Sequence, residues 1–149
     1  MARRTAADER APSRVFVDSS AWFAVASASD GRHAEAERLL REAVAAGIGL
    51  VTTNLVLAEV HRLALVRMGI QPAAAMLDRI EASRLVSLVH ATAEHHRVAR
   101  RWLAKLADQR ISYTDAVSFA VMEVTRCRVA MTFDRHFAIA GFRIWRLDG

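Results

Sequence analysis

Short apolar runs alternate with longer amphipathic stretches from Arg14 to Arg146, and this alternation narrows the possible folds more than any other feature of the chain. Val15–Val17, Gly49–Thr52, Leu85–Val89, Val129–Thr132 and Phe142–Arg146 read as strands, being short, apolar and bounded by turn or cap residues. Helices are predicted between them at Ser19–Ala26, His33–Ala46, Leu55–Met68, Ala73–Glu81 and Thr92–Leu106, with a last one from Ser112 or Thr114 through Arg126. His33–Ala46 places Ala36, Leu39, Leu40, Ala43 and Val44 on one face. Gly47 and Gly69 stand where helices should stop, Pro72 sits in a first turn, and Thr53 and Asn54 are candidate caps, Asn54 foremost. Strands separated by helices must lie mostly parallel, because parallel neighbours need long crossovers. An α/β protein with a sheet covered on both faces follows, and such sheets bind ligands at the carboxyl ends of their strands.

Length and composition agree with one folded unit, since 149 residues with 53% apolar and 25% charged side chains can bury a core. Residues 1–13 are polar, mixed in charge and without period, so they read as a flexible tail before a domain at 14–149. No apolar run approaches a membrane span and the start lacks the apolar centre of a signal peptide, so a cytoplasmic protein without membrane partners is expected. Cys127 is the sole cysteine, which excludes an internal disulfide and a cysteine metal cage and leaves it a small buried hydrophobe. The net charge is +5, and 20 of the 21 basic residues are arginine, Lys105 being the exception. Arginine's planar fork suits phosphate, although a bias in genomic composition produces the same surplus.

Four acids stand out. VFVDSS sets Asp18 at the end of strand one, MTFD sets Asp134 at the end of strand four, and SYTDAVSFA sets Asp115 in a first helical turn. TTNLVLAEV carries Glu59 inside an apolar helical stretch. Each has a local explanation as a cap, a turn residue or a solvated face. Together at one rim they would repel one another and raise one another's pKa values unless a cation lay among them. Carboxylates are hard oxygen ligands, so the expected ion is Mg²⁺, with Mn²⁺ an alternative. The six histidines show no metal-binding spacing: His95 and His96 are adjacent, His136 stands beside Asp134, and all are expected on the surface or in packing roles. Metal-assisted hydrolysis of a phosphodiester would use these acids, with Thr114, Ser19 and Ser20 available to orient water or a carboxylate. Arg110, Arg135 and Arg143 flank the expected rim as phosphate-binding candidates.

The order FVDSSAWFA, TTNLVLAEV, YTDAVSFAV, MTFDRHF resembles the PIN-domain family of ribonucleases, particularly the VapC-type toxins of prokaryotic toxin–antitoxin modules. DGRHAEA, with Asp30 and His33 opening the second helix, adds to the likeness. The resemblance implies a three-layer α/β/α sandwich and a Mg²⁺- or Mn²⁺-dependent endoribonuclease. Its acids here would be Asp18, Glu59, Asp115 and Asp134, with Asp18 and Asp115 the surest ligands. It also implies an RNA substrate, a homodimer and a small cognate antitoxin.

Other α/β chemistries fit less well. A haloacid-dehalogenase-like phosphotransferase needs a second acid two residues after Asp18, where Ser20 stands. A receiver domain wants a lysine at a late strand end, whereas Lys105 falls within a helix, and no glycine-rich loop follows Val17 for dinucleotide binding. The remaining rival is a PIN-like module that binds RNA or protein without cutting.

Overall fold

Val15, Phe16 and Val17 have no solvent exposure, as expected of a strand covered on both faces. The computed structural model describes residues 11–146. Most of the expected N-terminal tail therefore lies outside the described residues. The elements are β1 (Arg14–Val17), α1 (Ser19–Ala26), α2 (His33–Ala45), β2 (Gly49–Thr53), α3 (Asn54–Met68), α4 (Ile70–Ala82) and β3 (Val86–Val89). They continue with α5 (Ala93–Lys105), α6 (Tyr113–Thr125), β4 (Val129–Met131), α7 (Arg135–Ile139) and β5 (Arg143–Ile144).

The five strands form one sheet in the order β3-β2-β1-β4-β5, and every pairing is parallel. The chain steps outward from β1 to β2 and β3, then returns across β1 to β4 and β5. Right-handed crossovers therefore set α1–α4 on one face and α5–α6 on the other, which is the expected α/β/α sandwich. The reversal between β1 and its two neighbours opens a crevice at the carboxyl end of β1, the usual ligand position in such sheets.

Phe119 of α6 meets Phe137 of α7 edge to face at 4.9 Å, and Trp102 of α5 meets Phe119 at 5.5 Å. Phe16, Phe119 and Phe137 are fully buried, each worth about 1.5–3 kcal/mol in apolar surface removed from water. On the other face Trp22 donates its indole N–H to Thr52 Oγ1, and Thr52 donates to the Val17 carbonyl, so these buried polar groups are satisfied.

Both expected glycine stops hold. Gly47 (φ 67°) and Gly69 (φ 98°) adopt backbone that side-chain-bearing residues rarely take. One capping assignment is reversed: Thr53, not Asn54, caps α3 through Val56 N, while Asn54 Oδ1 accepts from Ala91 N after β3. The short helix α7 was not expected, β5 is shorter than predicted, and Pro72 lies within the first turn of a helix that starts at Ile70.

Candidate metal centre and active site

Asp18 ends β1 and caps α1 at once. Its Oδ1 accepts from Ser20 Oγ at 2.8 Å and from the Ala21 amide at 3.1 Å, while Oδ2 accepts from Thr132 Oγ1 at 2.6 Å. A carboxylate has about four lone-pair sites, so three donors leave one free. Three donors would ordinarily lower the pKa, yet burial outweighs them and, with a smaller contribution from the Asp134 charge, raises it to about 6.

Asp115 sits in the first turn of α6, whose cap is Ser112 Oγ. Burial, followed by the charges of Asp134, Asp18 and Glu59, pushes its carboxyl well above the ordinary range, and it shares a hydrogen bond with Asp134. Asp134 follows β4 and caps α7 by accepting from the His136 amide at 2.8 Å. Glu59 projects from α3, which packs against α6, and its Oε2 is buried with no hydrogen-bond partner among the described residues. The four acids thus come from the end of β1, α3, α6 and the end of β4; Asp115 feels the charge of the other three, and Asp18 that of Asp134.

Potential ligand atoms of Asp115, Asp134 and His136 all lie within 4.8 Å of one another, so the protein holds a metal-binding-type cluster. An orphaned buried carboxylate oxygen and two acids raised by burial and by neighbouring charge are features that a divalent cation among them would relieve. Asp115 and Asp134, with His136, therefore fit a divalent ion, while Asp18 and Glu59, expected as ligands too, fall outside this closest cluster.

The supporting residues differ in part from those expected. Thr132 and Ser20 hold Asp18, whereas the Ser19 and Thr114 hydroxyls make no hydrogen bond among the described residues. Ser20 Oγ also accepts from the Phe133 amide at 3.0 Å, tying α1 to the turn after β4. His136 is not the surface or packing residue expected of it, because Nδ1 lies 3.1 Å from Asp134 Oδ1 and gives that carboxylate a second partner. Its signal in the sequence was the offset of two residues from Asp134, which a helix start folds back on itself. His33 does serve packing, with Nδ1 bonded to the Ala24 carbonyl. Arg135 opens α7 and is exposed beside Asp134, and Arg110 is exposed in the loop before α6. Arg143 starts β5 opposite Val129, at the amino end of these strands, and so does not reach the acidic rim by strand position. Arg32 does reach it: its guanidinium donates to the Phe133 carbonyl at 3.2 Å.

A doubly wound parallel sheet with an acid cluster at its reversal point is the architecture of a metal-dependent phosphodiester-processing domain. Residues 15–143 match the family model for the PIN domain, and the chain belongs to that family. It is 37% identical over 128 residues to the "23S rRNA-specific endonuclease VapC20" of Mycobacterium tuberculosis, covering 86% of this chain and 95% of that protein. It is 30% identical over 125 residues to "Ribonuclease VapC26" of the same organism, covering 83% and 90%. The crystal structure of VapC20, described as a sarcin–ricin loop cleaving toxin, superimposes with a TM-score of 0.82 at 36% identity over 89% of this chain and 99% of that one. FitAcB from Neisseria gonorrhoeae shares the fold at a TM-score of 0.65 and 13% identity, over 89% and 96% of the two chains. Among the described residues no helix is long and apolar enough to cross a membrane.

Proposed function

We propose that the chain is a Mg²⁺- or Mn²⁺-dependent endoribonuclease, the toxin of a VapBC-type pair, with Asp18, Glu59, Asp115 and Asp134 as its catalytic acids. The observation that carries this reading is the convergence of four carboxylates, one with a buried oxygen that has no partner among the described residues, at the reversal of a PIN-family sheet. The likeness to VapC20 makes 23S rRNA and its sarcin–ricin loop the substrate to test. A cognate antitoxin and a homodimer complete the proposal, as does a cytoplasmic setting for a domain spanning residues 14–149.

A bound divalent ion supplies Lewis-acid stabilisation of the phosphoryl charge and a coordinated water of lowered pKa. The residues prepare for it. Thr132, Ser20 and the Ala21 amide fix the Asp18 carboxylate and leave one lone pair free, while His136 and its own amide fix Asp134. Glu59 would offer an oxygen that has no partner among the described residues, and Asp115, whose carboxyl is raised by burial and by its acidic neighbours, would give up its proton on holding a cation. Hard oxygen donors favour Mg²⁺ or Mn²⁺, and the imidazole of His136 acts by orienting Asp134.

The test is incubation of antitoxin-free protein with 23S rRNA in Mg²⁺, Mn²⁺ or EDTA, beside Asp18→Asn and Asp115→Asn variants. Metal-dependent cuts absent from both variants are expected. Folded, metal-loaded protein that leaves the RNA whole would favour the non-cutting module instead.

A further inference from the structure

Beside the acids lies a hollow of about 400 Å³ whose lining includes Phe23 of α1, Arg32 at the start of α2, Leu63 and Arg67 of α3, and Phe133 and Asp134 after β4. Asp134 belongs both to this hollow and to the acid cluster. Each arginine lies over an aromatic face: Arg32 is 4.8 Å from the Phe133 ring centre and Arg67 is 5.7 Å from that of Phe23. Neither guanidinium forms an ion pair among the described residues. Arg32 is held in place, since its amide donates to Asp30 Oδ1 at 2.8 Å and its guanidinium to the Phe133 carbonyl. Arg67 also borders a second hollow of about 410 Å³ that reaches Glu59 and Arg62. Two hollows therefore flank the acids and share Arg67.

We propose that the Arg32–Phe133 hollow is the subsite for a single-stranded nucleotide next to the scissile phosphate, the base stacking on the Arg32 guanidinium and the adjoining phosphate meeting Arg67. This rests on reading the acids as an RNA-cutting centre. A fixed guanidinium plane backed by an aromatic ring is a surface on which unstacked bases are held, irrespective of their sequence. The volume lies within the range of pockets that hold small organic ligands. A cation among the acids compensates one phosphate only, so the next phosphate needs cationic charge that no carboxylate has already claimed. Arg67 offers that charge on the shared wall of both hollows, which lets a strand pass from one to the other beside the acids. The ammonium of a lysine would supply charge without a plane, so the two arginines are not interchangeable with lysine in this role.

The experiment is fluorescence anisotropy in EDTA, which reads binding without cleavage, using a short fluorescein-labelled single-stranded RNA and an abasic strand of the same length. Wild-type protein is expected to prefer the RNA. Arg32→Ala should lose roughly tenfold in RNA affinity and abolish that preference while binding the abasic strand as wild type does, and Arg32→Lys, which keeps the charge without the plane, should fail to restore the preference. Arg67→Ala, on an exposed helical turn, should weaken both probes alike and reduce the salt slope by about one. A thermal melt of each variant shows that it is folded. An Arg32→Ala protein that melts normally and keeps the wild-type preference for bases overturns the proposal. Wild-type protein that shows the base preference in EDTA but cuts no RNA in Mg²⁺ supports the subsite and sinks the nuclease reading, so the two failures are distinct.

Discussion

The hydroxyl of Thr132 donates a 2.6 Å hydrogen bond to Oδ2 of Asp18, joining the carboxyl ends of β4 and β1 across 114 positions of sequence. It is a short bond to an ionisable group in a dry place, so it fixes both the direction and the charge state of that carboxylate. Thr132→Val keeps the shape and removes the donor, leaving Asp18 freer to rotate and harder to ionise. Metal affinity and cleavage rate should each fall about 10- to 100-fold, as for other groups that orient a metal ligand. Isothermal titration with Mn²⁺ measures the first and timed RNA cleavage the second; unchanged values would make Thr132 a purely structural link.

Glu59→Gln separates stability from function. Without a cation the Glu59 charge adds to the repulsion on Asp115, so its removal should leave the melting temperature in EDTA unchanged or raised. The stabilisation conferred by Mg²⁺ should shrink, because a ligand oxygen with no other partner has been lost. A variant that melts lower in EDTA and gains from Mg²⁺ as wild type does would remove Glu59 from the ligand set.

Stability should depend on pH in a direction set by the raised carboxyls. Asp18 titrates near 3.8 when exposed and at about 6 in the folded chain, so between these values the native state binds the extra proton. Stability is then fully present at the acid end of this window and falls as pH rises through about 6, the Asp18 contribution being about 3 kcal/mol. Asp115, raised as well, carries the decline to higher pH. Urea midpoints in EDTA should therefore drop from mildly acid to mildly alkaline buffer, and Mg²⁺ should restore most at the alkaline end. A flat profile in EDTA would mean that the acids do not share one dry site.

Arg126 gives a prediction remote from the acids. It ends α6 in the left-handed region at φ 57°, where its Cβ is strained, and it is exposed. Arg126→Gly should stabilise the fold by about 0.5–1 kcal/mol, seen as a melting temperature higher by roughly 2 °C, with cleavage unaffected. A lower melting temperature would show that the arginine side chain itself contributes there.

What was legible in the sequence followed from periodicity and order. Asp18 and Asp134 could be placed at one rim because the runs before them are strands, and parallel strands end on the same side. Glu59 was visible as an acid in an apolar helix. Other features depend on chain segments meeting in space. Thr53 and Asn54 are both good caps, and only the Ala91 amide arriving from beyond β3 shows which one is spared for another bond. Ser19 and Ser20 are adjacent hydroxyls, and the helical turn after Asp18 selects the second. The α7 segment, Arg135–Ile139, is five residues long, too short for a helical period to declare itself, and its turn is what folds His136 back onto Asp134. Arginines are so frequent that sequence could not distinguish Arg32, beside the acids, from Arg143, which starts an edge strand.

The position of β1 between β2 and β4 has a consequence for biosynthesis. The ribosome delivers Asp18 first, then Glu59 and Asp115, yet the strand that brings Asp134 and Thr132 beside Asp18 is the fourth to be made. A nascent or truncated chain that stops before β4 has three of the acids but neither the partner that orients Asp18 nor the wall that closes the cluster. Such a chain should leave RNA uncut, and on the proposed reading competence should arrive in a single late step, when β4 pairs with β1.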